Sequence, residues 1–193
     1  MKRIPQDAIS CLKVCLIVSV LATAMGCYIK NPKYPQSWPT VGKSKEIESQ
    51  IEGKYLCAGE IVESNTALWP KRSVTDFLIG GKNPPACEMF EIRRATPDTI
   101  EIRYFGYDAD GKKQIFKRGE GYHVEDNWVV LKSTGAFVAE NIVMAHDSIT
   151  PRLTTNSEND LIIKSKNAMA GTIMIIIPAG TFGSDWGKFT RQE

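Results

Sequence analysis

The residues of this chain that could do chemistry are few: five cysteines, two histidines and scattered carboxylates. A thiolate can attack, ligate a metal or bridge, and spacing decides among these roles. The cysteines stand at Cys11, Cys15, Cys27, Cys57 and Cys87, so none after Cys27 has a partner at zinc-ligand spacing. His123 and His146 are far apart and carry no metal signature. Asp108-Ala109-Asp110-Gly111 invites a calcium loop. With Gly111 at the sixth position of such a loop, the first would be Gly106 and the twelfth Lys117, where a bidentate Glu is needed. A hairpin turn is the better reading. No Gly-x-Ser-x-Gly elbow or phosphate loop occurs, and Gly119-Glu120-Gly121 lacks its third glycine. Ser133 with His123 makes no triad signal, and Glu88, Glu91 and Glu101 alternate as a solvated strand face would. The expectation is a non-enzymatic protein with no metal site and no catalytic residue.

Cys27 is the exception, because of what precedes it. Lys2, Arg3 and Lys13 stand against one acid, Asp7, and residues 14–25 are apolar except Ser19 and Thr23. As a helix that run rises ~18 Å. A bilayer core of ~30 Å needs ~20 residues, so the run is too short to span and has the form of an export signal. Leu21-Ala22-Thr23-Ala24-Met25-Gly26-Cys27 resembles the lipobox of bacterial lipoproteins. Ala24 stands where that pattern usually has Leu. The resemblance implies a diacylglyceryl group on the Cys27 sulfur, cleavage before it, and an acyl chain on the new amine. These covalent lipids are the only cofactors expected. At roughly 0.8 kcal/mol per buried methylene, several chains hold far more firmly than one. Tyr28 replaces the Asp that retains such proteins in the inner membrane. The resemblance therefore implies the outer membrane, with the chain facing the periplasm.

Removing residues 1–26 takes away three of the 24 Lys and Arg and one of the 22 Asp and Glu. The remainder is neutral overall, which gives no support to nucleic-acid binding. It also removes Cys11 and Cys15, leaving Cys57 and Cys87 in an oxidising compartment. A bridge between them would contribute roughly 3–4 kcal/mol in the chain-entropy model. Two buried thiols on neighbouring strands is the other arrangement.

The rest of the chain must position whatever surface the anchor holds. Residues 27–52 read as a lipidated tether: Pro32, Pro35 and Pro39 favour extended chain. Residues 44–51 are either a short helical turn or more linker. A single β-rich domain is expected over 53–193. Residues 54–62 have strand composition, and Ser73 caps a short helix stopped by Gly80-Gly81. Strands are expected at 88–94, 99–105 (where Ile100, Ile102 and Tyr104 alternate with Glu101 and Arg103), 114–117, 122–124, 128–132, 136–144, 160–165, 171–177 and 186–190. Asp110-Gly111 and Glu125-Asp126-Asn127 mark hairpin turns. The apolar run at 173–177 reads as a doubly buried strand. This gives eight or nine strands and one short helix, in a small antiparallel barrel or a sandwich.

Gly53-Lys54-Tyr55 after a Pro/Trp tether, the capped helix at 73–79 and the terminal Trp186-Gly187-Lys188-Phe189 resemble small proteobacterial lipoproteins of unknown function. The pattern is also reminiscent of lipocalins, with Tyr55 in place of their opening Trp and Arg191 as the late arginine packed on that ring. These readings make the chain an envelope binding or interaction module. One alternative is a lipocalin-like carrier of a small lipophilic ligand, which needs an apolar cavity of about 300 Å³. Another is an inhibitor of lysozyme-like enzymes, using a loop at 64–72 or 145–159. The expected partners are the membrane and either an envelope protein or that ligand.

Overall fold

The computed structural model describes residues 27–30, 32–44, 46–63, 71, 73–80, 83–132, 134–140, 143–173 and 177–193. The expected signal at 1–26 lies outside them. The fold is mainly β: thirteen strands among the described residues form two sheets that pack as a sandwich. Neither sheet closes on itself, which decides between the two expected architectures.

The larger sheet is built on three strands of 13 residues, β10 (Val143–Thr155), β11 (Leu161–Ile173) and β12 (Ile177–Phe189). They pair antiparallel along their full length. Each outer edge is covered in two pieces. β9 (Thr134–Glu140) lies along the first half of β10, and β8 (Trp128–Leu131) meets it at Arg152 and Leu153. On the other edge, β1 (Cys27–Lys30) pairs with the first half of β12 and β3 (Glu60–Val62) with its end. β1 runs parallel to β12; every other pairing in the sheet is antiparallel. β7 (Tyr122–Glu125) completes the sheet as a hairpin with β8. Asp126 and Asn127, both at positive φ, make that turn, as their sequence requires.

The smaller sheet has the order β13 (Arg191–Gln192), β2 (Gly53–Leu56), β4 (Met89–Thr96), β5 (Thr99–Phe105) and β6 (Lys113–Lys117). Alternation puts Tyr55, Phe90, Ile92, Ile100, Ile102, Tyr104 and Phe116 inward. They meet Leu131, Leu153, Leu161, Ile163 and Phe189 of the larger sheet in one core. Tyr55 stacks on Phe90 at 5.4 Å, and Phe189 meets Phe90 and Phe77 edge-on. Such offset and edge-on contacts suit the ring quadrupole.

Two short helices close the ends of this core. α1 (Ile47–Gln50) places Ile47 in the core and is followed there by Ile51. The packed unit therefore begins before residue 53. α2 (Val74–Leu78) is the helix expected after Ser73, whose N–H donates to Asp76 Oδ2 at 2.8 Å.

Several sequence expectations change. Residues 54–62 are not one strand: β2 and β3 belong to different sheets, and the chain crosses between them at Gly59. A Cβ at Gly59 would lie 2.4 Å from the Lys188 carbonyl oxygen, so the crossing needs glycine. Residues 136–144 span the end of β9 and the start of β10, with Glu140 opposite Val143. Nor do residues 171–177 form one strand: Ile173 and Ile177 pair with each other as β11 ends and β12 begins, and 174–176, the middle of the run expected to be doubly buried, lie outside the described residues. Composition had marked these stretches apolar, but a reversal of direction leaves no apolar signature. Residues 145–155 lie in β10, so a protruding loop at 145–159 is ruled out. Of the other loop candidate, 64–70 and 72 lie outside the described residues, and Lys71 is buried.

Candidate functional site

Cys57 and Cys87 are joined by a disulfide with Cα atoms 5.8 Å apart. It staples the excursion carrying β3 and α2 back to the edge of β4. The Cys57 N–H donates to the Glu88 carbonyl at 2.9 Å, and the Cys57 carbonyl accepts from Val74 N–H at 2.9 Å. The bridge thus fixes α2 over the core. Gln114 Nε2 donates to the Leu78 carbonyl at 3.3 Å from the other side.

Beside α2 lies a polar cluster that the sequence does not announce. Lys71 Nζ is 3.3 Å from Ser165 Oγ, 3.2 Å from Asn167 Oδ1 and 3.8 Å from Asp185 Oδ2, and it sits 4.8 Å from the Phe77 ring centre. Ser165 and Asp185 are fully buried. A lysine beside a serine can activate the hydroxyl as a nucleophile. Here Ser165 donates to Asn167 Oδ1 at 2.7 Å, and its full burial withholds it from a substrate. The cluster reads as a charge pair held inside the sandwich. Its members are separated by as many as 96 residues in their hydrogen-bonded pairs, so no local motif could reveal it. The available hint is alternation: inward positions run Leu161, Ile163 and then Ser165.

The outer face of the larger sheet carries a second aromatic group, in which Trp38, Trp186 and Ile162 are buried with Tyr34, Val62 and Trp128 packed against them. Tyr34 meets Trp38 and Trp186 edge-on at 5.8 and 5.2 Å. Trp186 Nε1 donates to the Pro32 carbonyl at 2.9 Å and Trp38 Nε1 to Glu60 Oε2 at 2.9 Å. Gly42 N–H donates to the Thr155 carbonyl at 2.8 Å. The stretch expected to swing free as a spacer is instead strapped across the sheet. Proline content suggested an extended chain, but the strap turns at 36–38, where Trp38 N–H donates to the Pro35 carbonyl at 3.1 Å. The tryptophan and tyrosine among those prolines supply apolar area that an idle spacer would not need.

Cys27 begins β1 and stands in register with Gly180. Tyr55 and Arg191 do meet: they are paired across β2 and β13, with the guanidinium 5.7 Å from the ring centre. Tyr55 donates to the Ile51 carbonyl at 2.9 Å, and burial pushes its phenol up to about 12.

The other singled-out residues stay apart. His123 and His146 are exposed, and His123 Nε2 lies 3.9 Å from Glu125. Asp110 Oδ1 accepts the Gly106 N–H at 3.0 Å in the β5–β6 turn. Glu88 is exposed, but Glu101 departs from the solvated face expected of it: it is only 5% exposed. It is clamped by Arg103 at 2.6 Å and Arg93 at 2.8 Å. Those two guanidinium groups hold its carboxyl at about 2, well below the usual range.

A groove of about 280 Å³ opens on the larger sheet beside Tyr122, His123, Val130, Lys132 and Thr150. Among the described residues no group of three or more His, Cys, Asp or Glu could hold a metal, and no helix is long and apolar enough to cross a membrane. No protein-family model matches the chain, and no match is found among the curated proteins or the solved structures.

Proposed function

We propose that this chain is a non-enzymatic, lipid-anchored envelope protein of the outer membrane. Acylated at Cys27 and facing the periplasm, it binds a partner protein through its surface. The observation that carries the choice of surface over interior is the filled core. Tyr55, Tyr104, Phe77, Phe90 and Phe189 are fully buried between the sheets. These rings occupy the space between the sheets in which a carried lipid would have to lie. Binding then falls to the outside, where the open groove at Tyr122 and Thr150 is a concave feature among the described residues.

The anchor is tested by labelling cells with radioactive palmitate. Wild type takes up label and Cys27→Ser does not; an unlabelled wild type overturns the anchor. The binding role is tested by cross-linking residues 28–193 to an envelope extract. A partner captured by the wild type is lost when Thr150→Trp fills the groove. Equal capture by both proteins removes the groove from the proposal.

A further inference from the structure

The three long strands overhang the rest of the fold. Thirteen residues at ~3.4 Å each extend ~44 Å, whereas the longest strand of the smaller sheet, eight residues, reaches ~27 Å. The overhang is at one end only. Phe189 runs through Thr190 into β13, which pairs with β2, so the Thr155–Leu161–Phe189 end is tied to the smaller sheet. The Val143–Ile173–Ile177 end is the one that projects.

That end has an unusual composition. No Asp, Glu, Lys or Arg occurs between Lys166 and Asp185, in a chain that is 24% charged. Register groups the projecting end into four rows across β9, β10, β11 and β12. The outermost is Glu140–Val143–Ile173–Ile177. Next come Ala139–Met144–Thr172–Pro178, Val138–Ala145–Gly171–Ala179 and Phe137–His146–Ala170–Gly180. Glu140, on the edge strand, is the one acid in these rows, and there is no Lys or Arg. An ordinary protein surface is roughly a quarter to a third charged. Phe182, two residues beyond Gly180 on the same strand, is 44% exposed.

The position of Cys27 says what covers this end. Its register partner is Gly180, so β1 begins at the fourth row and the strand is held there by pairing through Lys30 and Gly183. From Gly180 to Ile177 is three residues, or ~10 Å. That matches the ~5–10 Å to which interfacial elements sink into a bilayer. Acyl chains leaving Cys27 and these rows, whose single charge is the edge-strand Glu140, then reach the same bilayer together.

We infer that the projecting end of β9–β12, outward from the Phe137–His146–Ala170–Gly180 row, is a bilayer-contacting surface that seats beside the lipidated Cys27. The inference deepens the proposed anchoring, on which it rests, by giving the domain a second membrane contact that is not covalent. The seat is shallow: spanning strands need ~9–11 residues within the hydrocarbon, more than these rows supply.

The test uses residues 27–193 with Cys27→Ser, which cannot be acylated, so it reads the seat and leaves the palmitate result untouched. Flotation with vesicles of phosphatidylethanolamine and phosphatidylglycerol should carry this protein upward. Ile173→Lys with Ile177→Lys should lower the floated fraction ~10-fold or more, given the cost of lysine in hydrocarbon. Ile115→Lys, at an exposed site on the smaller sheet, should float as before. Circular dichroism and the intact Cys57–Cys87 bridge verify the fold of each variant. In the Cys27→Ser background, a polarity-sensitive dye on Ile177→Cys should shift to the blue with vesicles. Failure of the parent to float, or equal flotation of the double lysine variant, overturns the inference. So does a vesicle-free oligomer abolished by the same lysines, which would give this end to a second copy of the chain.

Discussion

The strands β10, β11 and β12 pass through two environments, and the two halves differ in kind. In the half next to β13, inward positions are Leu153, Leu161, Ile163 and Phe189, all fully buried. Charged residues such as Arg152, Lys164 and Lys188 occupy outward positions, against Trp128, Trp186 and Trp38. In the other half Asp147 is the one Asp, Glu, Lys or Arg on the three strands, and small residues alternate with Met, Ile and Phe. A strand with one wet face needs polar residues at every second position. The first half obeys that rule; the second does not, which marks it for an environment other than water. One set of strands thus carries both the stability of the domain and the end proposed to meet the bilayer.

The contrast predicts very unequal costs. Phe189→Ala should destabilise the domain by ~3–5 kcal/mol in urea unfolding, because its ring fills the space among Phe77, Phe90 and Gly59. Ala170→Ser in the projecting half should change stability by less than ~0.5 kcal/mol. Comparable costs at the two positions would abolish the distinction.

Asp185→Leu should cost ~3 kcal/mol or more by leaving the Lys71 ammonium buried without its carboxylate. Adding Lys71→Met should recover most of that loss, because an apolar pair of similar volume replaces a buried ion pair at little cost. If the double variant is no better than the single one, the cluster has a role other than structural pairing.

The smallest effect lies on the other sheet. Glu101 is held at about 2 by Arg103 and Arg93, below its ordinary 4.5. A lowered folded value means that its stabilising contribution is present above the ordinary value and fades as pH falls from ~4.5 toward 2. Glu101→Gln should flatten the stability profile in that window and lower it by a constant amount above, with no change of slope there. An unchanged slope between pH 4.5 and 2 would show that the two guanidinium groups do not act on this carboxyl as the geometry implies.

Much of the smaller sheet was legible in the sequence. Alternation fixed Ile100, Ile102 and Tyr104 inward, Asp126-Asn127 announced its turn in the neighbouring hairpin, and Ser73 announced α2. The long strands were not legible, for a physical reason. Where both faces lack charge, period-two contrast vanishes, so Gly171 through Ile177 looked like one strand rather than two strands meeting. The buried Lys71 cluster was invisible because its members are brought together only by tertiary pairing. The strap was barely legible: the prolines did not announce its turn at 36–38, and Trp38 and Tyr34 gave no hint that they pack with Trp186.

The parallel pairing of β1 with β12 has a kinetic consequence. The hydrogen bond from Trp186 to Pro32 closes a span of 154 residues, and β1 finds its neighbour only once Gly180–Gly183 exist. Contacts of such long sequence separation form late, because the closure entropy of the loop must first be met. The first strand among the described residues is therefore among the last to be placed. Until nearly the whole polypeptide has folded, Cys27–Lys30 lack the strand they pair with. If Cys27 is acylated as proposed, chain order and sheet order together reserve an interval in which that step can precede the closing of the fold.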